Sequence, residues 1–226
     1  CDGKYRRDWV TNPVISPTNA VQYLGLKWQI LRYADVMLMY AEAENELNGP
    51  TATAYDAVNK IRRRGYGKPI NTPDVTVDLP AGLSKSQFFD AVVKERSLEL
   101  GGEGVRKFDL IRWNLLASRI AATKAALLAM STSSAPYNNL PTSMYYITNT
   151  TSDNNNMGGL WFNSLYKAAP GSTPTGTTKV VWVSAAINTT ALSRYATGFT
   201  TGKSELLPIP QPARDANANL TQNPGY

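Results

Sequence analysis

Between residues 29 and 47, small and apolar side chains cover most of a helical circumference. Arg32, Asp35, Met39, Glu42 and Glu46, spaced three, four, three and four apart, leave one narrow polar stripe. A helix with so thin a wet face packs against neighbours on several sides. Asn48-Gly49-Pro50 stops it, because glycine accepts the left-handed C-cap and proline cannot continue the hydrogen-bond ladder. Thr51 or Thr53 then caps a second helix, in which Ala54, Ala57, Val58 and Ile61 form a single apolar stripe. The pattern predicts two antiparallel helices joined by a short turn.

Residues 65 to 83 are rich in Gly, Pro, Asn and Asp and read as a loop. Ser84 caps a third helix running to Leu100; Gly101, Gly102 and Gly104 break it. A fourth helix is expected from about Val105 to Met130, extended without a break by the alanine-rich AATKAALLAM. After Ser131 the character changes. Residues 131 to 203 are rich in Thr, Ser, Asn and Gly with embedded aromatics, and KVVWVSA (179 to 185) reads as a short strand. The tail ELLPIPQPARDANANLTQNPGY carries four prolines, so it is extended or turning, and its apolar LLPIP predicts that it is pinned to a core.

One stretch, KERSLELGGEGVRKFDLIRWN (94 to 114), mixes charge with bulk apolar residues. Phe88, Val92, Glu95 and Glu99 descend one helical face, so two carboxylates continue an apolar stripe. Like charges four apart repel, and partial burial raises the cost unless cations are supplied. Arg106 and Arg112 flank Asp109 at three residues on either side, and Arg96 adds a third guanidinium. Arginine forms planar bidentate pairs with carboxylates and tolerates semi-burial. The expectation is a structural ion-pair network of Glu95, Arg96, Glu99, Arg106, Asp109 and Arg112, in which Arg106 and Arg112 pair with Glu95, Glu99 or Asp109. The competing reading makes Glu95, Glu99, Glu103 or Asp109 a glycosidase pair, which needs carboxyls ~5–5.5 Å apart in an open cleft. Surrounding arginines would depress their pKa values and leave no good acid.

Composition narrows the chemistry further. The 226 residues include no His and one Cys, which excludes a Ser-His-Asp triad, a Cys-His pair, the usual zinc sites and an intramolecular disulfide. No cofactor or metal is expected. The formal charge is +6 with scattered basic residues, and Arg62-Arg63-Arg64 reads as a solvated helix end favoured by the helix dipole rather than a nucleic-acid patch. No run of 18 apolar residues exists. Cys1 is followed at once by charged and aromatic sequence, unlike the tether after a lipidated first residue.

The helix pair spans about 36 residues, near the ~34 of a tetratricopeptide repeat. ILRYADVMLMYAEAENELNGPTATAYDAVNKIRRRGYG (30 to 67), VVKERSLELGGEGVRKFDLIRW (92 to 113) and the tail (205 to 226), with RRDW (6 to 9) ahead of them, resemble the RagB/SusD family of Bacteroidetes. The resemblance covers essentially the whole chain but only the family's C-terminal half. It implies a mainly α fold of tetratricopeptide-like helix pairs, residues 1–130, with a loop-rich, partly extended lobe and Pro-rich tail, residues 131–226, within one domain. It further implies a non-catalytic outer-membrane lipoprotein of the cell surface, anchored through an N-terminal region upstream of this chain. Such a protein captures glycans or related nutrients and delivers them to a SusC-like TonB-dependent transporter. The remaining partner implied is the missing N-terminal half of the same protein, leaving an apolar face of this chain uncovered.

Sugar capture needs flat aromatic faces and polar groups for hydroxyls. Aromatics on polar loops include Trp9, Tyr23, Tyr137, Tyr145, Trp161 and Tyr195. Family sites favour loops near the repeat helices, which singles out Trp9 and Tyr23, with Trp161 as an insertion-loop candidate. TSDNNNMGG (151 to 159) has one carboxylate and no closing glutamate, and reads as an Asx-rich turn rather than a calcium loop. Two rival classes stay open: a tetratricopeptide-like protein-interaction scaffold, and a carbohydrate-active enzyme.

Overall fold

A computed structural model describes residues 29–147, 172–181, 183 and 188–226. The chain divides into two compact units. Among the described residues, one contains residues 29–109 and the other residues 110–147, 172–181, 183 and 188–226.

The first unit is built on three helices, α1 (Tyr33–Asn48), α2 (Ala52–Gly65) and α3 (Lys85–Glu99). Their shared core joins Ala34, Leu38 and Ala41 of α1, Ala54, Ala57, Val58 and Ile61 of α2, and Phe88 and Val92 of α3. Alanines at the crossing let the α1 and α2 backbones approach, and Phe88 fills the remaining volume. Its ring meets Tyr55 edge-on at 4.9 Å, a favourable geometry for two aromatic quadrupoles. The Tyr55 hydroxyl also accepts from the Leu83 N–H at 2.9 Å, and Asn59 Oδ1 accepts from the Leu79 N–H at 2.9 Å. The loop before α3 is thereby tied to α2.

Caps set the boundaries. Thr51 Oγ1 accepts from the Ala54 N–H, and Gly49 takes φ +80° after α1. Ser84 and Gln87 form a reciprocal capping box at the start of α3.

The polar stripe expected on α1 splits. Arg32 and Asp35 turn inward to ion pairs, with Asp35 buried, while Tyr33, Val36, Tyr40 and Leu47 are exposed. The expected wet stripe is therefore partly dry, and an apolar face is wet instead. The polar spacing alone did not reveal that α3 carries charges to match.

The long fourth helix is two. α4 (Arg106–Arg112), which crosses the unit boundary, and α5 (Leu116–Ser131) are separated by a Schellman turn. Asn114 adopts φ +55°, its N–H donates to Ile111 O at 2.9 Å, and the Leu115 N–H donates to Leu110 O at 2.7 Å. Asparagine is among the few side chains that enter the left-handed region readily, so helix propensity yielded to cap chemistry.

In the second unit, β1 (Ser143–Ile147) pairs antiparallel with β2 (Thr177–Val181), Ser143 opposite Val181 and Ile147 opposite Thr177. The strand expected at 179–185 thus begins earlier, and its partner SMYYI was not foreseen. Two short helices follow, α6 (Thr189–Ser193) and α7 (Gln211–Ala216). The tail closes on itself by polar bonds. Gln222 Oε1 accepts from the Ile209 N–H at 2.8 Å and its Nε2 donates to Ile209 O at 3.1 Å, while Tyr226 OH donates to Leu206 O at 3.1 Å. Leu206 and Leu207 are exposed, so hydrogen bonds rather than apolar burial of LLPIP hold this clip.

Because the α3 capping box satisfies two otherwise orphaned N–H groups, Ser84→Ala should cost about 1 kcal/mol. The measurement is the urea midpoint; no shift would show that the box contributes nothing to stability.

Candidate functional site

The charged stretch of α3 faces α1 and α2, and its partners come from both. Arg96 is 4 % exposed and bridges two carboxylates, Nη1 to Asp35 Oδ1 and Nε to Asp109 Oδ2, each at 2.7 Å. Glu95 Oε2 accepts from Arg62 Nη1 at 2.9 Å. Glu99 pairs with both Arg32 and Arg64. Arg32 also holds Glu103 with two bonds, Nε to Oε2 at 2.7 Å and Nη2 to Oε1 at 2.8 Å, and reaches the Glu99 backbone carbonyl. One guanidinium at the start of α1 thus satisfies the end of α3 and the glycine turn beyond it.

The expectation named Arg106 and Arg112 as the counter-ions. The described pairs of Glu95, Glu99 and Asp109 run through Arg62, Arg32, Arg64 and Arg96. Arg106 Nη1 donates to Val93 O at 2.9 Å, and the Arg112 guanidinium stacks 4.4 Å over the Trp113 ring. The missed signal was the spacing of Arg32 and Asp35, three apart on α1, which matches the alternation of Glu99 and Arg96 on α3.

The solvated reading of Arg62-Arg63-Arg64 is overturned. Arg63 is 4 % exposed, pairs bidentately with Asp78 and donates from Nη1 to Ile70 O at 2.9 Å. Arg62 Nε donates to Val77 O at 2.6 Å besides holding Glu95. The loop 66–83 returns over the end of α2 and buries these heads, so only Arg64 keeps substantial exposure.

Electrostatics follow the geometry. The hydrogen bond to Glu103 raises the Arg32 pKa against desolvation, and that to Asp78 raises Arg63. The Arg63 bond holds the Asp78 carboxyl below its ordinary value, and hydrogen bonds from Thr76 lower Asp74. Glu95 departs from the expectation that arginines depress every carboxylate here: burial pushes its pKa up, more strongly than Arg62 pulls it down. A raised carboxyl pKa suits a general acid, but Glu95 is buried and bonded to Arg62.

The aromatic candidates Trp9, Tyr23 and Trp161 lie outside the described residues, as does the Asx-rich segment 151–159. Of the other loop aromatics, Tyr145 is buried in β1 and acts in packing, while Tyr195 is partly exposed. Among the described residues, no helix is long and apolar enough to cross a membrane.

The SusD family model matches residues 9–226. The chain belongs to the SusD family. Among curated relatives, SusD-like protein P25 of Formosa agariphila is 38% identical over 108 residues, 48% of this chain and 19% of that protein. SusD-like protein P38 of the same organism is 36% identical over 103 residues, 46% of this chain and 18% of its own. A crystal structure of a SusD homolog from Bacteroides thetaiotaomicron superposes with a TM-score of 0.53 at 34% identity, covering 88% of this chain and 27% of that one. The matches thus span less than a fifth of these curated relatives. The mainly α fold with a loop-rich, extended part is that of a SusD-family chain.

Two carboxylates should give opposite pH signatures. Glu95, whose folded pKa exceeds 4.5, costs stability when ionised, so its burden is relieved as pH falls through the window above 4.5. Asp78, whose folded pKa lies below 3.8, contributes stability that is complete above 3.8 and lost as pH falls through its folded value. In urea titrations across this range, Asp78→Asn should lower stability at neutral pH and flatten the acid loss. Glu95→Gln should remove a gain on acidification toward 4.5. Parallel curves for wild type and both variants would contradict these assignments.

Proposed function

We propose that this chain serves a non-catalytic protein of the outer-membrane surface. It captures an oligosaccharide or related nutrient and passes it to a SusC-like TonB-dependent transporter. SusD-family membership across residues 9–226 carries this reading. The chemistry supports it from a different side. Glu95, Glu99, Glu103 and Asp109, the carboxylates nearest to a glycosidase pair in sequence, are each engaged by arginine. A carboxylate held by a guanidinium is a poor proton shuttle, and its arrangement serves packing.

Binding then falls to aromatic platforms on loops, for which Trp9, Tyr23 and Trp161 are the candidates. Stacking and hydroxyl hydrogen bonds compete with water, so affinity is expected at roughly micromolar to millimolar. Modest retention suits a protein that hands its ligand onward. Lipid anchoring through an N-terminal region would hold the protein over its transporter.

Calorimetry of the purified protein against a panel of polysaccharides tests the reading. Trp9→Ala and Tyr23→Ala should weaken glycan binding about tenfold, the loss of one stacked ring at ~1.4 kcal/mol, while leaving the melting temperature unchanged. Equal loss of stability would assign these rings to packing, and glycan cleavage that follows the protein through purification would overturn the non-catalytic assignment.

A further inference from the structure

We draw no further inference here: the strongest candidate, the apolar trough between α1 and α2 bordered by Tyr33, Met37 and Tyr40, is an unpartnered face whose rim charges Lys60 and Arg64 are already paired with Asp56 and Glu99, and nothing in the structure shows what covers it.

Discussion

Arg96 sits in the interior of a helical unit and cannot shed its charge, so everything around it must answer that charge. Asp35 of α1 and Asp109 of α4 do so from two sides, each at 2.7 Å. A buried guanidinium without partners would cost several kcal/mol or more, so the register of α1 on α3 is constrained by where these oxygens lie. The apolar core supplies the drive to associate, through Leu38, Val58, Phe88 and Val92. Greasy contacts alone tolerate sliding. The ion pairs, which hydrogen-bond at fixed angles, do not.

The same logic extends outward in a chain of arginine pairs. Arg32 closes the end of α3 and the glycine turn, Arg62 joins α2 to Glu95, and Arg63 fixes the returning loop through Asp78. Charges that look functional in sequence are thereby consumed in joining helices. For the proposed function, that outcome leaves loop-borne aromatics rather than the helical charge cluster as the candidates for ligand capture.

Much of this was legible in the sequence, for reasons that differ by element. Caps are local chemistry, so Thr51, Ser84 and the Asn48-Gly49-Pro50 stop marked their helix ends directly. The charge mixture around Glu95 and Glu99 announced ion pairing, since an apolar stripe cannot continue into bare carboxylates. The partners were harder, because Arg32 and Arg62 lie 67 and 33 residues from the carboxylates they meet, and only packing selects among arginines at such separations. Burial of Arg63 was hidden for the same reason: the loop that covers it returns from residue 78. The break at Asn114 was local and still missed, because the alanine-rich continuation outweighed one asparagine in the reading. The structure shows the reverse, a single left-handed residue ending a helix.

If Arg96 is the joint on which the unit is assembled, its energy should be coupled to Asp35 rather than carried alone. A double-mutant cycle of Asp35→Ala and Arg96→Ala, read from urea unfolding at neutral pH, measures that coupling directly. An interaction of about 2–3 kcal/mol is expected, toward the upper end for contacting charged pairs. A coupling below about 0.5 kcal/mol, the level of independent sites, would contradict it and remove Arg96 as the joint that fixes how these helices meet.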